Sequence, residues 1–269
     1  MKPRLKIPIS PSNRAGSFNT GSRLLTVLCL SILLTACATS TIRLPQPPAL
    51  DHDGPVIEIA DRDLLAVNPR MEEFLEHYVL GYDDQEVKRQ LLSLALTNRA
   101  MLGFHYNDER TLTAEEAFET RSGNCIAFAN LYIAMARAAG LDAQYHEVLI
   151  PPEWSAQDET FIISKHINVM VKGRNGLWEV DISGRELKMN AKRRIMNDQE
   201  AYAMYLNNLG VNALLSDDLP TAHAFLVKAI EVAPYVTDSW SNLGVVLARN
   251  GQFRDAEYSY QTALRVNPD

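Results

Sequence analysis

One stretch constrains the fold more than any other: Cys125 to Gly140, Cys-Ile-Ala-Phe-Ala-Asn-Leu-Tyr-Ile-Ala-Met-Ala-Arg-Ala-Ala-Gly. Its good helix formers and its final glycine predict a helix of about four turns. After the cysteine only Asn130 and Arg137 are polar, so the helix is apolar nearly all round. A helix of that kind is buried on every side. The preceding Ser122-Gly123-Asn124 is cap and turn chemistry. Cys125 therefore falls on the first turn of a central buried helix. Free backbone N–H groups and the positive end of the helix dipole point at its sulfur. Such a setting is expected to lower the thiol pKa and make it nucleophilic. Most free cysteines, however, are small buried apolar residues, and position alone does not separate the two readings.

The amino-terminus reads as an address. Residues 24–36 form a short apolar run behind a leader holding Lys2, Arg4, Lys6, Arg14 and Arg23 and no acid. The run falls short of the ~20 residues of a membrane span and has the shape of a secretory signal. Its end, Leu34-Thr35-Ala36-Cys37, resembles the bacterial lipoprotein signal. That resemblance implies a signal over 1–36, a lipid on Cys37 and, with Ala38 following, an outer-membrane position facing the periplasm. The lipid would tether the protein to the membrane without spanning it. Of three cysteines, Cys29 leaves with the signal and Cys37 carries lipid, so Cys125 is the one thiol of the folded body. A lone thiol in an oxidising compartment argues for a chemical role. The 26 basic residues less the leader's five, against 33 acidic, leave a net −12. So acidic a chain is a poor candidate for nucleic acid.

Residues 37–56, rich in Pro, Ser, Thr and Asp, read as an extended linker. Residues 61–100 read as helical. One face is Met71, Phe74, Leu75, Tyr78 and Val79; a second helix starts at Asp83-Asp84 and runs through Leu91, Leu92, Leu94 and Leu96. Gly103 to Tyr106 is a short extended piece, and Thr113-Ala114-Glu115-Glu116 resembles a capping box. Beyond Gly140 the period changes to that of strands. Ala143 to Ile150, stopped by Pro151-Pro152, and Phe161 to Val171 are strands, with Leu177 to Ile182 returning after an Asn175-Gly176 hairpin turn. Helices first and an antiparallel sheet after them make an α+β body. Strand parity puts Asp181 on one sheet face with His166, Asn168 and Met170 in either of two registers. A two-residue turn sets Asp181 opposite Met170. A loop over 173–176 sets it opposite Asn168 and diagonal to His166, near enough for the carboxylate to orient the imidazole.

From Ala203 the sequence repeats. Leu209-Gly210, Ala222, Ala229 and Pro234 return 34 residues later as Leu243-Gly244, Ala256, Ala263 and Pro268. That period resembles the tetratricopeptide repeat, a helix–turn–helix unit that stacks on its neighbours. Two copies are fewer than the three usually needed for independent stability, so they are expected to lean on the body, on another copy or on a partner. A buttressing role is the alternative to a recruiting one.

A cysteine nucleophile needs a base, and the base needs a group that fixes its tautomer. Cys125 on a helix start, His166 on a strand and Asp181 on the next supply these in order. The Gly-x-Cys turn at a buried helix, Gly140-Leu141 after it, the strand histidine and Trp178-x-x-Asp181 resemble the transglutaminase-like, papain-like superfamily over roughly residues 100–185. The resemblance implies Cys125 as nucleophile, His166 as base and Asp181 as orienting acid. Asn168 stands where that family often has an aromatic residue. The Cys125 backbone N–H is one natural oxyanion donor; Asn124, Tyr106, Gln144 and Asn168 are candidates for the second. His146 and His105 are weaker candidates for the base, and Glu179 shares the face of Asp181 farther from His166. Trp178 is expected in the core. No metal-ligand spacing and no phosphate loop is present, so neither metal nor cofactor is expected. The domains expected are a catalytic body over 57–195 and two repeats over 196–269. The function implied is a cysteine peptidase or amidase acting through a thioester on peptide or protein substrates, with the repeats recruiting substrate or a protein partner. A non-catalytic envelope scaffold is the rival.

Overall fold

A computed structural model describes residues 45–149, 154–157, 160–163, 166–174, 176–182 and 192–266. The signal, Cys37, the start of the linker, Pro151-Pro152 and Asn175 lie outside them. Helix α1, Pro69–Tyr78, carries the apolar face expected from Met71 but does not reach back to residue 61, because Pro69 occupies its first turn and Asn68 caps the Met71 N–H at 3.0 Å. Residues 61–68 are therefore not helical. Helix α2, Gln85–Thr97, starts where Asp84 accepts from the Glu86 and Val87 N–H groups. A two-residue strand β1, His105–Tyr106, follows. Thr113 and Glu116 form a reciprocal capping box at the start of α3, Ala114–Thr120. After the left-handed Arg121 (φ 54°), strand β2, Ser122–Gly123, pairs in parallel with β1.

Helix α4, Cys125–Ala138, is capped by Asn124 and buried without interruption from Ile126 to Ala136. Its buried Asn130 is satisfied from both ends: Nδ2 donates to the Leu112 carbonyl at 2.9 Å, and Oδ1 accepts from the Tyr145 hydroxyl at 2.7 Å. Thus a polar side chain sits in a fully apolar helix without a desolvation penalty. Arg137 leaves the core at the other end, its Nε on the Ala143 carbonyl and its guanidinium bidentate on Asp198 at 2.7 and 2.9 Å.

The sheet packed against α4 is antiparallel, in the order β7–β6–β3–β8. It comprises β3 (Asp142–Leu149), β6 (His166–Gly173), β7 (Gly176–Val180) and β8 (Lys192–Met196). Ala143, Tyr145, Ile167, Val169, Val171 and Met196 join α4 in the core. Two features depart from expectation. Phe161 to Val171 is not one strand: β5, Thr160–Ile163, pairs with β4, Trp154–Gln157, in a separate ribbon, and β6 begins at His166. Strand β8 was not expected; its Lys-Arg-Arg opening is exposed, and only Met196 is buried. Arg194 of β8 faces the buried Glu147 at 2.8 Å and also pairs with Glu200.

Four helices follow: α5 (Asp198–Leu215), α6 (Leu219–Val232), α7 (Thr237–Arg249) and α8 (Phe253–Val266). The 34-residue period has a physical basis. A Cβ on Gly210 would meet Leu226 at 2.8 Å, and one on Gly244 would meet Tyr260 at 2.5 Å. Leu226 and Tyr260 are themselves 34 residues apart, so each hairpin closes on its glycine through an equivalent side chain. Ala201, Met204, Tyr205, Leu206, Ala229 and Val236 belong to the same core as α4 and the sheet. The first hairpin leans on the body, one of the three supports expected. Trp240 and Leu243 centre a second core between the hairpins.

Candidate active site

The cysteine turn is rigid because its backbone is paired on both sides. The His105 N–H donates to the Arg121 carbonyl, the Asn107 N–H to Gly123, and the Asn124 N–H to Arg110 at 2.8 Å. Gly123 has no room for a side chain: an added Cβ would stand 2.5 Å from Ala127 Cβ and 3.3 Å from the Arg110 carbonyl. The Asn124 side chain then caps the Ala127 N–H and donates to Thr111 at 2.7 Å, which fixes the first turn of α4.

The hairpin adopts the second of the two registers. Gly173 pairs with Gly176 and Val169 with Val180, which puts Asp181 opposite Asn168 and diagonal to His166. His166 Nε2 and Asp181 Oδ2 are 2.7 Å apart, with His166 buried. A carboxylate accepts, so Nε2 carries the proton and the lone pair of the neutral ring lies on Nδ1, the nitrogen nearer the backbone. The Ile167 N–H, one residue along that strand, acts on the Cys125 thiol, as do the N–H groups of Ile126 and Cys125. Pairing of β7 stops at Val180, short of Ile167. Sequence reasoning missed the Ile167 amide, since a backbone donor leaves no side-chain signal.

The expected lowering of the thiol pKa is not what the site produces. Burial pushes the half-buried Cys125 thiol up, and the negative charge of Asp181 adds to this. The amides of Ile167, Ile126 and Cys125 oppose the shift without reversing it. The balance of these effects favours the neutral thiol.

The four expected oxyanion donors separate. The Asn124 carboxamide is committed to the helix cap and Thr111. Asn168 lies between His146, whose Nδ1 is 2.7 Å from its Oδ1, and Glu179, to which its Nδ2 donates. Gln144 pairs with Met170 and lies with Arg137 and Met196, at the opposite end of α4 from Cys125. Eleven or twelve residues of helix separate the two ends, roughly 18 Å. Tyr106 stands across from Gly123, beside the turn and partly exposed. The alternative histidines have other settings: His146 is engaged by Asn168, and His105 is exposed opposite Ser122. Glu179 serves Asn168 and Arg193, not His166. Trp178 is not in the core; it is 40% exposed on the edge strand, with the Arg89 guanidinium 4.4 Å from its ring centroid.

Residues 80–182 match the model of the transglutaminase-like superfamily, a span that holds α4, β6 and β7 with Cys125, His166 and Asp181. Residues 237–269 match the tetratricopeptide repeat, a module of protein–protein contact, and include the α7–α8 hairpin. No curated protein matches the chain. The chain carries a transglutaminase-like domain followed by a tetratricopeptide repeat.

Proposed function

We propose that the chain is a cysteine-dependent acyl-transfer enzyme acting on amide bonds of peptides or proteins, tethered by lipid at Cys37 to the bacterial envelope, on the periplasmic face of the outer membrane. The observation that carries the reading is the 2.7 Å His166–Asp181 contact, with the backbone of the next residue, Ile167, acting on the Cys125 thiol. As the Cys125 sulfur bonds to the amide carbon, its proton passes to His166 Nδ1. The C–N bond then breaks, and the leaving amine takes that proton. Water, deprotonated by the same nitrogen, cleaves the thioester and returns the thiol. Asp181 holds the ring and stabilises the imidazolium. The amides of Cys125 and Ile126 at the helix start favour negative charge on the tetrahedral intermediate. A neutral resting thiol increases the demand on the base, since the proton must move as the bond forms. Hydrolysis is preferred over crosslinking because water is abundant. No metal or cofactor enters these steps. The repeats recruit substrate or a partner protein.

A second reading, a non-catalytic binding scaffold, is favoured by the raised thiol pKa. Acetylation with p-nitrophenyl acetate separates the two. The catalytic reading expects one acetyl group per chain on Cys125, none in Cys125→Ala, and acetylation slowed at least about a hundredfold in His166→Ala. Acetylation at the same rate with and without His166 would remove the base from the mechanism and leave the scaffold.

A further inference from the structure

The segment read as a free linker is bound. Residues 48–51, Pro-Ala-Leu-Asp, lie against the repeats, and the repeat side chains that hold them address the backbone. His223 Nε2 of α6 is 2.8 Å from the Pro48 carbonyl. Gln252, in the turn between α7 and α8, donates through Nε2 to the Ala49 carbonyl at 3.0 Å and accepts at Oε1 from the Asp51 N–H at 2.8 Å. Asn250 donates to the Asp51 carbonyl at 2.9 Å. In an extended chain the carbonyl of one residue and the N–H two residues on point to the same side. One carboxamide that satisfies both acts as a fragment of a neighbouring strand. Asn250 and Asp255 in turn bond to Gln252 at 2.8 and 3.0 Å and fix its orientation. Between the Ala49 and Asp51 contacts, Leu50 packs against the core between the hairpins.

Backbone hydrogen bonds for affinity and one side-chain pocket for selection are the elements of peptide recognition. We propose that this face, built from His223, Asn250, Gln252 and the leucine pocket, is a binding site for extended peptides, filled in cis by residues 48–51 as a displaceable strap. The ligand class follows from the contacts. Position 48 needs no N–H, so proline fits there and pre-orders the extended form. Position 50 takes a branched aliphatic side chain. The strap continues into Asp61, paired with Lys228 at 2.8 Å, and Arg62, which donates to Tyr205 at 3.0 Å and pairs with Glu116 of α3 at 2.8 Å. A partner that displaces the strap therefore pulls on a segment that spans the repeats and the cysteine domain. The inference is independent of the chemistry at Cys125.

A tethered ligand competes at an effective concentration on the order of millimolar, so the wild type resists the same sequence offered in trans. The test uses the full chain and a fluorescein-labelled peptide of residues 45–53, read by fluorescence anisotropy. Leu50→Asp in the chain empties the pocket, and the labelled peptide then binds at least tenfold more tightly than to the wild type. Adding Gln252→Ala to that variant reverses the gain at least tenfold. Equal binding to the wild type and to Leu50→Asp, or binding indifferent to Gln252→Ala, overturns the proposal. Hydrogen exchange on the wild type is a check that needs no variant. The Asp51 amide is expected to be protected, and exchange at the rate of a free peptide would show that no strap is held.

Discussion

Gly123→Ala tests whether the close approach at the cysteine turn governs both stability and chemistry. The new Cβ would stand 2.5 Å from Ala127 Cβ, about an ångström inside ordinary contact. Ala127 is fully buried, and its N–H is held by the Asn124 cap, so it cannot yield alone. Nor can the turn yield alone, because Gly123 and Asn124 are both hydrogen-bonded to the 107–110 loop. The first turn of α4 must shift, and Cys125 with it. Overpacking of this kind costs about 1–3 kcal/mol, which at roughly 2–4 °C per kcal/mol lowers Tm by about 4–8 °C for a cost near 2. Ala127→Gly removes the atom that is struck, at about 1 kcal/mol for glycine in a helix. The double variant is therefore expected to be less destabilised than the sum of the singles by at least about 1 kcal/mol in denaturant titration. It is also expected to recover acetylation of Cys125 that Gly123→Ala loses. Additivity of the two changes within about 0.5 kcal/mol would refute the steric account.

Three further outcomes are expected. Arg194→Met removes the cation facing the buried Glu147 and Glu200; it is expected to cost about 3 kcal/mol, the low end for a broken buried pair because Arg194 is itself half-exposed, and an unchanged denaturation midpoint would dismiss the pairing. The Cys125 thiol, raised in the fold by burial and by Asp181, ties stability to alkaline pH. Above about 8.5 the unfolded thiol ionises while the folded one keeps its proton, so the fold binds more protons than the unfolded chain and its stability falls as pH rises. Cys125→Ala is expected to flatten the limb between about pH 8.5 and 9 in chemical denaturation, before the unfolded tyrosines ionise appreciably; an unaltered limb would contradict the shift. Cys37→Ala is expected to move the protein from the membrane fraction to the soluble one and to abolish incorporation of an alkyne-labelled palmitate, whereas retention of label would place the lipid elsewhere.

The parts of the fold legible in the sequence are those fixed by local chemistry. The Thr113–Glu116 capping box, the Asn124 cap and the all-apolar helix behind it need only neighbours within one turn. The repeat was legible because Gly210 and Gly244 each serve a contact that recurs with the same period. Strand β8 was not, since its Lys192, Arg193 and Arg194 are placed by cross-strand pairing with β3 and by ion pairs with Glu147 and Glu179, partners far along the chain. Trp178 was misread because β7 is an edge strand, a fact set by sheet order. The thiol is the instructive case. Its local setting, a helix start with free amides, argues for a lowered pKa, and those amides do act in that direction. What reverses the sign is burial, to which Asp181 adds a smaller push, brought from 56 positions along the chain by a hairpin register that parity alone left open. The same register gives His166 its carboxylate. One geometric choice thus orients the imidazole and brings a negative charge to bear on the thiol. The two effects cannot be tuned separately: moving Asp181 away would ease ionisation of the thiol and release the imidazole together.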